Sequence, residues 1–220
     1  ELAGGRGPVA ACSTPVKNGM VVPTNTELVE NLRKTALEFM LAEHHGDCLG
    51  PCQLACPAGI DIQGFIALIA DGKNDESLRL IKEQMPFPAS CGRVCPRFCE
   101  TDCRRNVVDE PVGIMRLKRF VADIDLESDR PYVPQAAGPS GKSVGIVGGG
   151  PAGLTAAYYL GILGHAVTIY EAYPQLGGML RYAIPEYRLP KAVLDQEIAT
   201  ITALCSEVRC NTKLGVDVTL

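Results

Sequence analysis

Helical periodicity alternates with glycine-rich and cysteine-rich stretches along this chain of 220 residues. Apolar residues recur three and four positions apart between about Thr26 and Glu43, which predicts an amphipathic helix. Its expected apolar face contains Leu28, Val29, Leu32, Ala36, Leu37, Met40 and Leu41. Further helices are predicted at about 62–70, 75–84 and 112–126. The face expected for the last helix contains Ile114, Leu117, Phe120, Val121 and Ile124.

The pattern changes after a stretch rich in proline, glycine and serine at residues 128–142, which is typical of a linker. A short apolar strand at 144–147, a helix at about 151–163 and a second strand at 166–170 form a predicted βαβ unit. A helix at about 191–205 and a short strand near Val208 follow. Residues 144–164 carry no charge, but they hold seven glycines and Pro151, so a strand, a turn and a helix explain them better than a membrane span.

The net charge, the aromatic content and the cysteine count argue against several classes of function. The net charge of −4, the absence of Trp and an aromatic content of 5% argue against a nucleic-acid partner. The first residues contain no apolar secretory signal, so we expect a reducing, cytoplasmic compartment. Ten cysteines in such a compartment are better explained as metal ligands than as disulfides.

Seven of the ten cysteines form two groups that are rich in Cys-Pro steps. The first group is Cys48, Cys52 and Cys56, followed by Pro57. The second group is Cys91, Cys95, Cys99 and Cys103, with Pro96 after its second cysteine. Thiolates spaced three or four residues apart with Cys-Pro steps favour iron–sulfur clusters. Structural zinc tolerates similar spacings, and free thiols or disulfides remain further alternatives.

Residues 48–125 resemble the helical di-cluster domain of the glutamate synthase small subunit, which dihydropyrimidine dehydrogenase and the large subunit of NADH-dependent ferredoxin:NADP oxidoreductase share. The stretches GPCQLACPAGIDIQGFI and CGRVCPRFCETDC carry the resemblance. It implies two 4Fe–4S clusters whose ligands interleave between the groups. One cluster would take Cys48, Cys52 and Cys103, and the other Cys56, Cys95 and Cys99.

The remaining ligands depart from that family. His44 stands where the family has an outer cysteine, and it is either an imidazole ligand or a solvated side chain at a helix end. Lys118 stands where relatives have a Gln or Glu ligand. A lysine is a poor ligand, so Cys91 is the candidate substitute, with a buried inert thiol as the alternative.

The N-terminal stretch around Cys12 resembles the junction after the 2Fe–2S domain in iron-only hydrogenases and complex I. The resemblance implies that Cys12 is the last 2Fe–2S ligand and that its three partners lie upstream of this chain. We therefore expect a fragment. Alone, Cys12 could equally be a small core residue.

A G-x-G-x-x-G motif follows the predicted strand and opens the predicted helix. Gly148 suits the tight turn, Gly150 allows a pyrophosphate to approach, and Gly153 allows the helix to pack on the strand. Pro151 suits the first helical position, where free backbone amides attract phosphate. Glu171 ends the second strand, where a carboxylate binds ribose hydroxyls and repels a 2′-phosphate.

The segments QLGGML and AIPEYRLPK resemble the FAD half of the same glutamate-synthase-like reductases. This resemblance identifies the nucleotide as FAD. The cofactor-binding residues that it and the glycine motif imply are Gly148, Gly150, Pro151, Ala152, Gly153, Glu171, Gln175, Gly177, Gly178, Met179 and Arg188. The NAD(P)H-binding unit of that family lies outside this chain.

The expected fold is an α+β multi-domain fragment, with a helical ferredoxin-like di-cluster domain before a partial α/β Rossmann-type FAD-binding domain. We expect the tail of a truncated 2Fe–2S domain at 1–24, the cluster domain at 25–127, a linker at 128–142 and the FAD half at 143–220.

The expected function is electron transfer between NAD(P)H, FAD and a chain of clusters within a multi-subunit oxidoreductase linked to ferredoxin, hydrogen or formate. Other subunits, with ferredoxin as a candidate, are the expected partners, and no catalytic acid, base or nucleophile is required. The alternatives are a non-enzymatic electron wire or assembly subunit, a glutamate synthase small subunit, and a zinc-stabilised binding module.

Overall fold

A computed structural model describes residues 8–42 and 48–219 of the chain. Contacts divide the chain into two units, Glu1–Cys48 and Leu49–Leu220. No helix within the described ranges is both long and apolar enough to cross a bilayer.

The first unit consists of a short 3-10 turn, Ala11–Ser13, and one long helix, α1 (Glu27–Ala42). The helix begins after Thr26, whose hydroxyl accepts a hydrogen bond from the Val29 amide at 3.4 Å. The predicted helix is confirmed, but of its predicted apolar face only Val29 is buried. The segment before α1 folds against its first half and encloses an apolar recess of about 600 Å³.

The second unit begins with a helical part whose elements pack around one apolar core. Its helices are α2 (Pro51–Leu54), α3 (Ile62–Ala70), α4 (Asn74–Gln84), α5 (Pro88–Val94), α6 (Phe98–Thr101) and α7 (Ile114–Leu126). The core residues include Ile60, Ile62, Phe65, Leu78, Ile81, Ile114, Val121 and Leu126. Asp61 caps α3 by accepting a hydrogen bond from the Gly64 amide at 2.9 Å, which satisfies one of the free donors of the first turn.

Helix α7 differs from its predicted orientation. Its buried residues are Ile114, Lys118, Val121, Ala122 and Leu126. Phe120 and Ile124, both expected on the apolar face, are 48% and 36% exposed. The buried face is therefore rotated from the predicted one and includes a lysine that the apolar pattern excludes.

The rest of the second unit is a βαβ unit with one further strand. The elements are β1 (Ser143–Val147), α8 (Pro151–Ile162), β2 (Ala166–Tyr170), α9 (Met179–Tyr182), α10 (Lys191–Thr202) and β3 (Glu207–Arg209). The described strands form a parallel sheet in the order β1-β2-β3, with Ser143 opposite Ala166 and Thr168 opposite Glu207. The mixed helical and Rossmann-like architecture confirms the predicted fold class.

The helical part and the Rossmann part of the second unit share buried contacts. Phe87 belongs to the apolar core of the Rossmann part, and the Tyr158 hydroxyl donates to the Lys82 carbonyl at 3.2 Å. Glu197 on α10 is buried and accepts hydrogen bonds from the Ala89 amide at 2.6 Å and from the Ser90 amide at 2.9 Å. A carboxylate from the Rossmann part therefore caps α5 in the helical part.

Residues 128–142 contain no helix or strand but are held at several points. The Tyr132 amide donates to Asp125 at 2.8 Å, and the Tyr132 carbonyl accepts from the Lys82 ammonium at 3.0 Å. The Ala137 amide donates to the Ile162 carbonyl at 2.8 Å. This connection is therefore fixed to both of the parts that it joins.

Candidate functional site

One recess in the helical part collects thiols from both cysteine groups. Cys56 lies just after α2, Cys95 ends α5 and Cys99 lies in α6. The complete lining is Cys56, Pro57, Ile60, Ile62, Phe65, Cys95, Phe98, Cys99, Ile114 and Lys118. We call this set the first cysteine recess. It is apolar apart from the three thiols and the lysine.

Backbone geometry turns the chain around this recess. Arg97 adopts a left-handed conformation with φ of 68°, so the chain reverses between α5 and α6. The Arg97 amide points back at the Cys95 sulfur at 3.5 Å. Such a donor stabilises negative charge on a sulfur, and hydrogen bonds of this kind tune iron–sulfur centres. The step from Cys95 to Arg97 therefore turns one backbone amide toward a thiol of the recess.

A second recess brings together Cys52 from the first group and Cys103 from the second. Its other lining residues are Ile62, Gln63, Ile66, Ala67, Ala70, Val112 and Ile114. Burial raises the pKa of the Cys52 thiol, and the nearby Cys103 raises it further. Cys52 and Cys103 therefore share a second recess, which adjoins the first because Ile62 and Ile114 line both.

The two recesses contain the pairings that the resemblance to the di-cluster domain implies, except at the outer positions. Cys48 and Cys12 are exposed and belong to the first unit. His44 lies outside the described residues. The ligand roles of these three residues stay predictions from the sequence.

Cys91 lies beside the first cysteine recess and is largely enclosed. Burial raises its pKa to about 11, while the charge of Lys118 lowers it and the neighbouring Glu197 and Cys95 raise it. Burial likewise raises the pKa of Cys99 to about 11, against a lowering by Lys118. Bare thiolates are therefore unfavourable here, and a cationic centre that binds thiolates would compensate the cost of burial.

The donor set fits an iron–sulfur cluster. Within the described ranges, no three Cys, His, Asp or Glu side chains are close enough to share one metal ion. A 4Fe–4S cluster has a different requirement, because each of its irons takes a separate thiolate around an apolar recess. Cys56, Cys95 and Cys99 surround such a recess, with Cys91 one helical turn before Cys95.

The glycine motif forms the turn between β1 and α8. Gly148 has φ of +97°, and a Cβ at Gly153 would collide with the Gly148 carbonyl oxygen. Pro151 is the first residue of α8, followed by Ala152, and Gly150 precedes the helix. The first turn of α8 therefore presents free backbone amides at the carboxyl edge of the sheet, where nucleotide phosphates bind in Rossmann-type folds.

Glu171 lies beside this turn, at the end of β2. It is buried, and its carboxylate accepts hydrogen bonds from the Gly149 amide at 2.6 Å and the Tyr173 amide at 2.8 Å. The carboxylate therefore organises the glycine turn itself. Each of its oxygens keeps a second lone pair with which it can accept a ribose hydroxyl.

The segment 175–179 packs on the same turn. The Gly177 amide donates to the Gly149 carbonyl at 2.8 Å, and the Gly178 backbone lies next to Gly150. Gln175 is held through its carbonyl, which accepts from the Tyr182 hydroxyl at 3.2 Å, and Met179 is exposed. The predicted nucleotide residues up to Met179 thus occupy one region of the fold.

Arg188 lies elsewhere. It is exposed and lines a recess with residues of α5 and α7, namely Gly92, Arg93, Met115, Arg116 and Arg119, together with Tyr187 and Pro190. The structure therefore places Arg188 beside the helical part, and its role in binding the nucleotide stays a prediction. The sequence pattern could not indicate this position, because it depends on tertiary packing against α5 and α7.

Lys118 also lines the first cysteine recess. The sequence indicated that its position matters but did not predict that it is buried. It is 6% exposed on α7 and faces the thiols of Cys56, Cys95 and Cys99. The signal in the sequence was its position in the resemblance to the di-cluster domain, where relatives have a Gln or Glu ligand.

Two protein families match the two parts of the chain. Residues 28–130 match the family described as dihydropyrimidine dehydrogenase domain II, 4Fe-4S cluster, and residues 146–204 match the NAD(P)-binding Rossmann-like domain family. The chain combines an iron–sulfur domain with a nucleotide-binding Rossmann-like domain. The predicted resemblance to the di-cluster domain and to the glutamate-synthase-like reductases is confirmed.

Curated relatives share this combination across most of the chain. The NADP(+)-dependent formate dehydrogenase subunit beta of Moorella thermoacetica is 46% identical over 77% of this chain and 27% of its own length. The NAD-dependent dihydropyrimidine dehydrogenase subunit PreT of Salmonella typhimurium is 41% identical over 77% of this chain and 41% of its own. The small chain of glutamate synthase [NADPH] from Bacillus subtilis is 35% identical over 74% of this chain and 36% of its own.

The chain thus spans between 27% and 41% of the length of these relatives. By their names, all three are subunits or chains of NAD(P)-linked oxidoreductases, which confirms the predicted class of homologues. The iron–sulfur domain and the Rossmann-like domain support iron–sulfur and flavin or nicotinamide binding.

Proposed function

We propose that this chain carries electrons between a flavin nucleotide on its Rossmann part and two 4Fe–4S clusters on its helical part, within a larger NAD(P)-linked oxidoreductase. Bound FAD would accept two electrons as a hydride, and the clusters would carry them one at a time. The observation that carries the proposal is the first cysteine recess, in which thiols of both sequence groups surround one apolar space.

The proposed ligand sets follow the two recesses. Cys56, Cys95 and Cys99, with Cys91 as the fourth donor, would hold the cluster in the first recess. Cys52 and Cys103 would hold the other, together with Cys48 and His44. Cys12 would be a ligand of a 2Fe–2S centre.

The residues of the nucleotide site would position FAD without reacting with it. The first turn of α8, from Pro151 through Gly153, would donate amides to the pyrophosphate. Glu171 would accept hydrogen bonds from the ribose hydroxyls, and its negative charge disfavours a nucleotide with a 2′-phosphate at this site. Segment 175–179 would cover the nucleotide, since it packs on the glycine turn.

The proposed domain limits are 25–127 for the cluster domain and 143–220 for the nucleotide half, with 128–142 between them. The proposed partners are other subunits that supply or accept electrons, such as a ferredoxin-, hydrogenase- or formate-dehydrogenase-type subunit. The names of the relatives support a multi-subunit setting, since those from Moorella and Salmonella are called subunits.

Metal and flavin analysis of anaerobically purified protein tests the proposal. We expect about eight irons for the two 4Fe–4S clusters, with additional iron only if a 2Fe–2S centre is complete. Cys95→Ala should lose four irons, whereas Cys205→Ala, which alters a cysteine outside both groups, should lose none. Zinc in place of iron would refute the proposal. Intact clusters without flavin would leave the electron-wire alternative.

A further inference from the structure

Lys118 places a buried positive charge among thiols. Its neighbours on the buried face of α7 are Ile114 and Val121, and the recess that it enters is otherwise walled by apolar side chains and three cysteines. A buried ammonium is unfavourable unless an opposite charge lies beside it.

Carboxylates do not supply that opposite charge. Glu100 on α6 accepts from the Met115 amide at 2.9 Å and lies 3.7 Å from the Arg97 guanidinium. Asp123 on α7 pairs with Arg93 at 2.7 Å. In the part of the chain that the structure describes, no carboxylate forms an ion pair with Lys118.

The thiols are the groups with which Lys118 interacts. Lys118 is buried and lines one recess with Cys56, Cys95 and Cys99, so a positive charge there attracts negative charge on the three sulfurs. A residue that favours thiolates from within the recess also favours any centre whose charge those thiolates carry.

We propose that Lys118 is the positioned cation that balances the negative charge of the cluster held by Cys56, Cys95 and Cys99, and that it raises the reduction potential of that cluster. This inference rests on the proposed function. Reduction adds one electron to a centre that is already anionic through its thiolates, so a nearby ammonium stabilises the reduced form more than the oxidised form. A protonated lysine has no free electron pair, so it acts through its charge and leaves the fourth iron to another donor.

The test compares neutral and charged replacements in the holoprotein. Lys118→Met and Lys118→Gln remove the charge, and Lys118→Arg keeps it. Iron content is measured first, and each cluster is then titrated with dithionite and followed by electron paramagnetic resonance. The cluster at Cys52 and Cys103 is the internal reference, since Lys118 does not line its recess.

We expect the neutral variants to lower the potential of one cluster and leave the reference cluster unchanged. The ratio of oxidised to reduced cluster at a fixed potential should rise about tenfold, which is about 59 mV for a one-electron couple. Lys118→Arg should retain the wild-type value. If neither neutral variant holds the cluster but Lys118→Arg does, the charge is required for assembly, which also supports the proposal.

Two outcomes would overturn the proposed role of Lys118. The first is a neutral variant with full iron content and unchanged potentials. The second is loss of the cluster in Lys118→Arg as well, because the lysine would then act through its shape. Failure of the proposed function looks different, since the wild-type protein itself would lack iron or the two cluster signals.

Discussion

Glu197 should make the stability of this protein depend on pH. Its carboxylate is buried in the contact between the Rossmann part and α5, and burial raises its pKa to about 7 from an ordinary value of 4.5. Hydrogen bonds from Ala89 and Ser90 and the charge of Lys82 oppose the increase without cancelling it. Between about pH 4.5 and pH 7, the folded protein therefore holds a proton on Glu197 that the unfolded chain has already released.

The size of the effect follows from the two pKa values. Because the folded state binds the proton more tightly, the contribution of Glu197 to the free energy of unfolding falls as the pH rises through this window and is constant on either side. The difference between 4.5 and about 7, at about 1.36 kcal/mol for each pKa unit, corresponds to about 3 kcal/mol. For a chain of this size, that is about 6–12 °C in the unfolding midpoint.

Glu197→Gln removes the titration while keeping the shape of the side chain. The amide turns a donor toward the first turn of α5, so the variant should lose some stability at pH 5, about 1–3 kcal/mol for one unpaired buried donor. Its stability relative to wild type should then rise by about 3 kcal/mol between pH 5 and pH 8. Anaerobic thermal unfolding followed by circular dichroism at several pH values measures this difference.

The matched control is Glu127→Gln, which alters an exposed glutamate just after α7. Its unfolding midpoints should follow those of wild type at every pH. Parallel curves for wild type and Glu197→Gln over the same range would contradict the argument, because Glu197 would then titrate alike in the folded and unfolded states.

Two further predictions concern the nucleotide site. Gly153→Ala should abolish flavin retention and lower the unfolding midpoint, because its Cβ would collide with the Gly148 carbonyl. The control Ala156→Ser, at an exposed position further along α8, should retain flavin. Equal flavin content in both variants would contradict the packing argument. Glu171→Gln should reduce flavin occupancy, because the negative charge beside the ribose is lost. The protein should stay folded, since the amide oxygen still accepts a hydrogen bond from one backbone donor. Unchanged flavin per chain, measured by absorbance, would exclude the ribose role.

The sequence predicted the helices and strands whose apolar residues repeat at regular spacing. α1, α3, α4 and the strands β1 and β2 lie within one or two residues of their predicted limits, because each has repeated apolar positions or flanking turn residues. Helix α5 was missed. It has seven residues, starts at Pro88 and contains Gly92, so it is too short to show a period. Its first turn is stabilised by Glu197, a residue more than a hundred positions away that no local pattern connects to it.

The candidate sites show the same division. The glycine turn was predictable because all of its parts are close in sequence, and the structure adds only that Glu171 binds the Gly149 amide. The inward direction of Lys118 was not predictable from periodicity, since the charge of a lysine normally places it on the solvent side of a helix. Arg188 was assigned by resemblance to the nucleotide, and its place beside α5 and α7 required the tertiary packing.

The side chain of Phe87 has a consequence for how this protein is divided. It precedes α5 in the cluster-bearing half, yet it is buried among Leu154, Val167 and Ile201 of the other half. A chain cut within residues 128–142 would expose this ring to water and leave two amides of α5 without an acceptor. The segment that looks like a hinge in the sequence is therefore no place to separate the halves, and excised pieces should be expected to aggregate unless both are supplied together.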